Sequence, residues 1–299
     1  MSEAAADLLV TDPGGLYVDA TAGGGGHSAA IVTRLTDQGG LIALDRDAEA
    51  LKATRHRLCG SKVRVRLMHA AYADLGSCCE AQHIDAVDGV LFDLGVSSHQ
   101  LDAAERGFSY LAEGPLDMRM DTRQETSAAT CLAHVQETEL RRIIRDLGEE
   151  REARRIARAL VARRADQGLK STRDIREAVL STRPRMPNKT LSRVFQAIRI
   201  VVNDELGQLD RALDASAGLL RSGGRLVVIA YHSLEDRLVK HRLAGWIHGC
   251  VCPPRIPVCV CGRKPQFRPV LTRPRRADPV EVKANPRARS AIMRAVEKL

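Results

Sequence analysis

The residues best placed for chemistry lie where a short apolar run ends in a carboxylate. The run Val90–Phe92 stops at Asp93, and the following loop, Gly95–Ser98, is made mostly of small residues. A run this short and wholly apolar is typical of a parallel strand that is buried on both faces. Ligands of open α/β sheets bind beyond the carboxyl ends of the strands. Asp93 is therefore placed to accept a hydrogen bond from an amine, or alternatively only to cap the next turn.

A glycine-rich loop nearer the start of the chain has the composition of a cofactor site. Gly23–Gly26 follow the apolar segment Gly15–Ala20, and Asp45 lies about 20 residues further on, the spacing of an acid that binds ribose hydroxyls. Two cofactors fit. A dinucleotide would use Gly24-x-Gly26-x-x-Ala29, whereas S-adenosylmethionine would place its carboxylate by the glycines and its ribose at Asp45. A turn without a ligand is disfavoured by the matched acid.

The loop after Asp93 favours the methyl donor over the dinucleotide. The sequence Asp-Leu-Gly-Val-Ser-Ser over 93–98 offers an acceptor and small residues where a methyl donor would meet an amine. No Lys or Tyr is arranged there for hydride transfer to a carbonyl. The two motifs together indicate transfer of a methyl group to an amino nitrogen.

The elements that must position these motifs alternate between strand and helix. Such alternation predicts a doubly wound, mostly parallel sheet. Strands are predicted at 15–20, 40–45, 63–67, 87–93 and 225–230, with a late strand at 270–271 and helices at 29–35, 48–58, 206–220 and 288–299. Residues 222–224 read as a turn.

The alternation is interrupted by a long segment without strands. From Leu101 to Leu206 only helical periodicity recurs, as in Leu140, Ile144 and Leu147. The sequence therefore predicts an inserted all-helical domain, 103–206, between two parts of one α/β domain, 1–102 and 207–299.

Charge is distributed unevenly along the chain. Residues 151–199 carry a net charge of +10 and residues 263–299 carry +8, whereas the whole chain is at +9 and the remainder is therefore at −9. Two basic segments in an otherwise acidic chain indicate that the protein binds a polyanion at the surfaces these segments form. The alternative to a binding surface is a charged helix face that is only solvated. This alternative is disfavoured because the net charge of residues 151–199 exceeds the net charge of the whole chain.

Composition excludes several other classes. No apolar run is long enough to span a bilayer, and the first residues do not form a signal peptide, so we expect a cytoplasmic protein without a membrane partner.

The eight cysteines in a chain of 299 residues are expected to be reduced thiols. Cys250, Cys252, Cys259 and Cys261 surround a Pro-rich loop. Cys-x-Cys is not the usual knuckle spacing, so we assign no metal ligand, and structural zinc remains an alternative to reduced thiols.

The motifs taken together resemble the RsmH (MraW) family, bacterial methyltransferases that use S-adenosylmethionine and act on N4 of a cytidine in the decoding region of 16S rRNA. The likeness runs in family order from near the start of the chain to near its end. It rests on the segments Asp19–Ser28, Ala43–Asp47, Asp88–Asp102, Glu105–Ser109, Gly114–Asp121, Gly148–Arg151, Arg155–Ala159, Phe195–Ile200, Asn203–Leu206, Tyr231–Arg237 and Asn285–Ser290.

The resemblance implies a Rossmann-like class I methyltransferase fold and a set of cofactor contacts. These contacts are Gly25, Gly26, His27, Asp45, Tyr72, Asp93 and Gln100. Tyr72 stands where the family usually has Phe, so an aromatic side chain is kept for stacking on adenine. The chain lacks the His-containing segment that usually precedes the first strand, and Lys189–Ser192 differ from the family pattern. The implied partner is 16S rRNA in the small ribosomal subunit, and the sequence leaves a homodimer open.

Asp93 is the one group to which we assign a catalytic role. Cytosine N4 is a poor nucleophile because its lone pair is conjugated with the ring, while the sulfonium methyl is already activated, so catalysis should come mostly from positioning. We expect Asp93 to accept a hydrogen bond from the exocyclic amine and the backbone of Leu94 or Gly95 to accept a second.

Other residues are candidates for contacts with the RNA. A base taken out of folded RNA commonly stacks on an aromatic side chain. Phe108 and Tyr110 could provide this platform, although core packing of Phe108 is an equal alternative. His232 could contact the substrate or serve only a structural role. Arginines predicted to share one helix are expected to bind phosphates: Arg151, Arg154, Arg155 and Arg158.

Three other functions fit parts of the sequence. The first is an amino-methyltransferase acting on DNA or on another RNA site. The second is a nicotinamide-dependent oxidoreductase on the same sheet. The third is a non-catalytic RNA-binding assembly factor that keeps the donor pocket as a relic, against which the glycine loop, Asp45 and Asp93 all argue.

Overall fold

The computed structural model describes residues 1–250, 252, 258 and 260–299. The chain forms two compact units. Unit 1 combines residues 1–95 with 206–299, and unit 2 comprises 96–205. The predicted domain boundaries at 102 and 206 lie close to these divisions, although the helical unit already begins at Val96.

The described part of unit 1 is built on one sheet of eight strands. The strands are β1 (Leu16–Asp19), β2 (Gly40–Asp45), β3 (Arg64–His69), β4 (Val87–Asp93), β5 (Leu220–Ala230), β6 (Phe267–Pro269), β7 (Arg275–Arg276) and β8 (Ile292–Lys298). Their order is β3-β2-β1-β4-β5-β8-β6, and β7 also pairs with β8. The first five strands are parallel, whereas β8 runs antiparallel to β5.

The central strands are apolar because both of their faces are covered. In β4 every residue from Val87 to Phe92 is buried and only Asp93, at the carboxyl end, is partly exposed. One face of the sheet packs around Phe92 and Leu44, and the other packs around Leu91 and Tyr17. This two-sided burial is why strands of a doubly wound sheet read as continuous apolar runs.

The strand order reverses direction between β1 and β4. The chain moves outward from β1 to β2 and β3, then returns to the other side of β1 to form β4 and β5. Such a switch point opens a crevice at the carboxyl ends of the strands, where open α/β sheets bind their ligands. The fold therefore brings the ends of β1 and β4 to one crevice.

Helices of unit 1 connect these strands. They are α1 (Ser2–Leu9), α2 (Gly26–Val32), α3 (Ala48–Arg57), α4 (Leu75–Ala81), α11 (Glu205–Leu219, whose first residue belongs to unit 2), α12 (Ser233–His248) and α13 (Pro279–Ala284), with short 3-10 helices at Tyr72–Asp74 and Pro286–Ser290. No helix of the described chain is both long and apolar enough to cross a membrane.

The end of the chain differs from the sequence-based prediction. We predicted a helix over 288–299, but Ile292–Lys298 form β8, which pairs along its length with Arg225–Ala230 of β5. Likewise β5 begins at Leu220, before the predicted turn. Its register on β4 shifts between the pairs Val87–Leu220 and Gly89–Arg225, so residues 221–224 bulge out of the pairing.

Unit 2 is helical, as predicted. Residues 96–205, all of which are described, form no strand and only one isolated β-bridge, between Pro115 and Ser171. The helices are α5 (Ser98–Asp102), a 3-10 turn at Ala104–Arg106, α6 (Ala128–His134), α7 (Glu137–Asp146), α8 (Ala153–Asp166), α9 (Thr172–Ser181) and α10 (Pro187–Asn203). They enclose a separate apolar core that includes Ile144, Ile156 and Phe195.

A buried asparagine joins the loop before α6 to the end of α10. The Asn203 side chain accepts a hydrogen bond from the Met120 amide at 2.8 Å and donates one to the Met118 carbonyl at 2.7 Å. Met118 has a left-handed backbone, with φ of 55°. The asparagine therefore satisfies buried backbone groups of an irregular segment that no helix or strand could satisfy.

Candidate active site

The glycine loop leaves β1 and turns tightly before α2. Gly23 and Gly25 have φ of 51° and 75°, a left-handed backbone that glycine adopts without a steric penalty. A Cβ on Gly25 would lie 3.0 Å from the Cα of Thr54, whereas a Cβ on Gly24 would meet no atom within 4 Å. The Thr54 hydroxyl donates to the Gly23 carbonyl at 3.0 Å and so fastens the loop to α3. A ligand can therefore approach the backbone at Gly24.

Asp45 lies beside this loop at the carboxyl end of β2. Its Oδ2 accepts a hydrogen bond from the Gly23 amide at 2.8 Å, and its Oδ1 accepts one from the Asp47 amide at 2.8 Å. Burial raises the pKa of the Asp45 carboxyl above its ordinary value, although these two amides oppose the shift. A carboxylate oxygen can accept more than one hydrogen bond, so both oxygens could still accept from hydroxyl groups of a ribose.

Asp93 is held by two side chains from other parts of the chain, one in α2 and one directly after β5. The Tyr231 hydroxyl, just after β5, donates to Asp93 Oδ1 at 2.9 Å. His27 Nδ1 lies 3.3 Å from Asp93 Oδ2, and the Asp93 amide donates to the Thr21 hydroxyl at 2.6 Å. Burial, followed by the nearby Asp93 carboxylate, raises the pKa of Tyr231, so its hydroxyl stays protonated and acts as a donor. The carboxylate is thus fixed before any substrate arrives.

His27 lies between two carboxylates. Asp19, fully buried at the end of β1, accepts a hydrogen bond from the Ser28 hydroxyl at 2.6 Å. Burial raises the pKa of Asp19, while the nearby His27 opposes that shift. Burial lowers the pKa of His27, but the Asp93 and Asp19 carboxylates outweigh it, so the net shift is upward. His27 Nε2 is buried and makes no hydrogen bond within the described residues, which leaves it available to a ligand.

Tyr72 is packed below the ends of β2 and β4. Its ring meets the edge of Phe92, with centroids 6.0 Å apart, and the Arg46 guanidinium lies 5.6 Å from its centre. The ring is largely buried in the core cluster on this face of the sheet. Tyr72 therefore lies in unit 1 with the glycine loop and Asp45, and its role in stacking on adenine stays a prediction.

The remaining cofactor candidate belongs to unit 2. Gln100 lies in α5, where its Oε1 accepts from the Ser97 amide at 3.0 Å and the Ser97 hydroxyl accepts from the Gln100 amide at 3.2 Å. This reciprocal pair is a capping box that starts the helix. The observed contacts give Gln100 a structural role, and its contact with the cofactor stays a prediction.

Three candidates for substrate contact make structural contacts of their own. Phe108 is buried in the core of unit 2 with the Arg106 guanidinium 5.9 Å from its ring, which agrees with the packing alternative. Tyr110 is partly exposed and meets Phe195 edge-on. In unit 1, His232 is the N-cap of α12, and its Nε2 lies 3.0 Å from Glu235 Oε1.

The sequence did not indicate the contacts that fix Asp93. His27 was expected only as a cofactor contact, and Tyr231 was part of a motif without an assigned role. They are 66 and 138 residues from Asp93 in the chain, and only the strand order brings them together. A polar residue at the carboxyl end of β1 and of β4, with Tyr231 directly after β5, is the signal that could have suggested the cluster.

The sheet identifies the class of enzyme. Its first five strands have the doubly wound order of nucleotide-binding proteins, and the antiparallel β8 beside β5 distinguishes it from the all-parallel dinucleotide-binding sheet. The open space at Gly24, the spare acceptors of Asp45 and the His27 Nε2, which has no partner in the described part of the chain, fit the amino-acid and ribose parts of S-adenosylmethionine. The protein is a class I methyltransferase with S-adenosylmethionine as its cofactor.

Comparisons with known proteins give the family. The model of the MraW methylase family matches residues 1–299, so the chain belongs to this family. It is 48% identical over 297 residues to the ribosomal RNA small subunit methyltransferase H of Symbiobacterium thermophilum, covering 98% of this chain and 93% of the relative. The enzyme of the same name from Pelobacter propionicus is 47% identical, with 100% and 97% covered.

Solved structures resemble the chain more distantly. An rRNA methylase from Streptococcus thermophilus is 14% identical with a TM-score of 0.43, covering 100% of this chain and 93% of the other. NSun6 from Pyrococcus horikoshii is also 14% identical, with a TM-score of 0.44 and coverage of 99% and 51%.

The His27–Asp93 pair predicts a pH dependence of stability. A histidine with a raised pKa in the folded state stabilises the protein fully below its unfolded pKa of about 6.5, and this contribution is lost as pH rises through the folded pKa. We expect the melting temperature of wild type to exceed that of His27→Gln most at pH 6 and below, with the difference shrinking above that. The exposed His56 provides the matched control, His56→Gln. A difference that grows with pH would contradict the pairing.

Proposed function

We propose that the protein transfers the methyl group of S-adenosylmethionine to N4 of a cytidine in the decoding region of 16S rRNA, acting on the small ribosomal subunit or its rRNA. The substrate class rests on the relatives, which are named ribosomal RNA small subunit methyltransferases. The observation that carries the choice of an amino group is Asp93, a carboxylate fixed by Tyr231 and His27 at the end of β4.

The carboxylate suits an amine better than a hydroxyl or a carbon nucleophile. The exocyclic amine of cytosine has two N–H donors, and its lone pair becomes available only when the nitrogen leaves conjugation with the ring. Each Asp93 oxygen already accepts one hydrogen bond and can accept another. Asp93 would accept one N–H of the amine, and the carbonyl of Leu94 or Gly95 would accept the other. Both bonds draw electron density toward N4 and orient its lone pair.

The reaction balances with these groups. When bound, the cofactor supplies a methyl group on a positively charged sulfur. The N4 lone pair, oriented by Asp93, would form the new carbon–nitrogen bond, and the sulfur would keep the electron pair of the carbon–sulfur bond that breaks. The nitrogen would then lose one of its two protons to solvent. Until that proton leaves, Asp93 would stabilise the positive charge that develops on N4. Catalysis on this account is positioning plus electrostatics.

We further propose where the cofactor is held. The contacts would be Gly25, Gly26, His27, Asp45, Tyr72 and Asp93, all of which lie in unit 1. Asp45 would bind the ribose hydroxyls and the glycine loop would admit the amino-acid part. These groups favour S-adenosylmethionine over the nicotinamide cofactor of the oxidoreductase alternative.

Deletion of the gene tests the proposed target. We expect the mutant's small-subunit rRNA to lack methylation at one cytidine N4 in the decoding region, and purified protein with S-adenosylmethionine to restore it. Loss at another nucleotide, or activity on duplex DNA but not on ribosomal particles, would favour the amino-methyltransferase alternatives. Unchanged rRNA methylation would reject the proposal. Whether the protein forms a homodimer, which the sequence leaves open, is decided separately by the molar mass of the protein in solution.

A basic face of α8 is the proposed contact with RNA phosphates. Arg154, Arg155 and Arg158 are exposed along this helix, and Arg151 just precedes it. Arg155 pairs with Glu152, and Arg158 lies 4.0 Å from Glu137. Arg151 and Arg154 form no ion pair within the described residues. These two guanidinium groups are therefore the most available for phosphate.

Removal of both arginines should flatten the salt dependence of RNA binding. Each phosphate contact contributes about 0.7 to 0.9 to the slope of log K against log salt. For Arg151→Gln/Arg154→Gln we expect a slope shallower by about 1.5 and weaker binding at low salt. The matched control is Arg142→Gln/Arg145→Gln on α7, which removes the same charge from arginines already paired with Glu139 and Asp146. An unchanged slope in the first variant would remove α8 from the RNA-binding face.

A further inference from the structure

The segment between α12 and β6 leaves and re-enters unit 1 at one place. Gly249, directly after α12, has φ of 66°, and a Cβ there would lie 2.5 Å from the Lys264 carbonyl carbon. The Gln266 amide donates to the Trp246 carbonyl at 2.9 Å, and the rings of Trp246 and Phe267 stack with centroids 5.0 Å apart. The two ends of the segment are therefore in direct contact.

Three cysteine thiols lie close together near these two ends. The sulfur atoms of Cys250, Cys252 and Cys261 all lie within 4.8 Å of one another. Cys250 and Cys261 come from the two arms, and their sulfur atoms are 3.8 Å apart. The fourth cysteine of the sequence motif, Cys259, lies outside the described residues. The other four described cysteines of the chain belong to no such cluster: Cys59, Cys78, Cys79 and Cys131.

The sulfur separation excludes a disulfide and is compatible with a metal site. Zinc binds thiolates at about 2.3 Å in a tetrahedron, so two sulfur ligands of one zinc ion are roughly 3.8 Å apart. A disulfide brings its sulfur atoms to about 2.05 Å. The distance between Cys250 and Cys261 matches the edge of the tetrahedron and is far too long for a covalent bond.

We propose that Cys250, Cys252 and Cys261 bind a structural zinc ion. On binding, each thiol loses its proton to solvent and the three thiolates occupy three tetrahedral positions, leaving the fourth to another donor. Three thiolates on a divalent cation carry one net negative charge, and the exposed Arg263 and Lys264 follow Cys261 closely in the chain. The ion fastens the end of α12 to the start of β6, the strand next to β8 in the sheet. This site is separate from the methyl-transfer chemistry and does not depend on the proposed substrate.

Metal analysis of the full-length protein tests the site. Protein purified under reducing conditions should contain about one zinc per chain by mass spectrometry. The double variant Cys250→Ser/Cys261→Ser should lose this zinc and melt at a lower temperature. The matched control, Cys78→Ser/Cys131→Ser, removes two thiols elsewhere and should retain the metal.

Cobalt provides a second readout that does not depend on the folding of a variant. Wild-type protein refilled with Co²⁺ should show the intense thiolate-to-metal absorption of a tetrahedral sulfur site, and a mercurial reagent should release zinc in proportion to the thiols it blocks. Wild-type protein with reduced thiols and no bound zinc would overturn the proposal. So would a Cys250–Cys261 disulfide found without metal.

Discussion

Asp93→Asn should lower kcat by about 10²-fold or more at saturating S-adenosylmethionine and RNA. The amide keeps the shape of the side chain, and its oxygen can still accept from Tyr231, so the local frame should survive. What disappears is the negative charge beside the nitrogen that becomes positive during transfer. Because that charge matters most in the transition state, kcat should fall more than the affinity for either substrate.

Two further variants separate the effect of the Asp93 charge from effects on the structure around it. Asp88 lies at the opposite end of the same strand, where its Oδ2 accepts from the Leu16 amide at 2.8 Å. Asp88→Asn therefore makes the same chemical change in β4 and should leave kcat unchanged. Tyr231→Phe removes only the hydrogen bond to Asp93 Oδ1 and should give an intermediate loss, since the carboxylate remains but is less well oriented.

The measurements are multiple-turnover methylation of the rRNA at saturating substrates, which gives kcat, and calorimetric titration of the cofactor for each variant. If Asp93→Asn retains near-normal kcat, the carboxylate takes no part in the chemistry and only shapes the site. Loss of cofactor binding with normal kcat at saturation would lead to the same conclusion. The proposed mechanism requires that Asp93→Asn lower kcat.

Strand ends were predictable from the sequence because burial on both faces leaves an unmistakable pattern. The apolar runs before Asp45 and Asp93 stop where the strands emerge from the core, so the first polar residue marks the ligand-binding edge. The glycine loop was predictable for a similar reason, since Gly23 and Gly25 adopt a backbone that other residues avoid.

The last strand could not be predicted from its own residues. Ile292, Met293 and Val296 recur at intervals of three and four, which fits one face of a helix as well as it fits a short strand. What makes the segment a strand is the free edge of β5, which β8 pairs with antiparallel. The edge of β5 exists only once the sheet has assembled, so the local sequence pattern of residues 292–298 does not predict the pairing.

The cluster around Asp93 was also beyond local patterns. His27 and Tyr231 contribute side chains from separate parts of the chain, and their convergence depends on β1 and β5 flanking β4. The roles of Phe108 and Gln100 illustrate the reverse case. Their positions in family motifs suggest ligand contacts, while burial and a capping box show that each also has a structural function.

Gly25→Ala should be the most damaging single change in the cofactor loop. Alanine in a left-handed backbone costs about 1–2 kcal/mol, and its methyl group would lie 3.0 Å from the Cα of Thr54, so the loop must also move away from α3. We expect a lower melting temperature and an affinity for S-adenosylmethionine reduced by at least about tenfold, or 1.4 kcal/mol. Thermal unfolding and titration calorimetry measure the two effects separately.

Two other glycines isolate the causes of that loss. Gly60 has φ of 83° and a Cβ there would meet no atom within 4 Å, so Gly60→Ala carries the backbone penalty alone and should bind the cofactor normally. Gly24→Ala has neither the left-handed backbone nor a steric conflict, so its stability should match wild type. Its cofactor affinity should nevertheless fall, because the added methyl group projects into the space that the cofactor would occupy. Normal affinity in both Gly24→Ala and Gly25→Ala would mean that the donor does not lie over this loop, since a methyl group on either glycine would otherwise meet it or displace its binding surface.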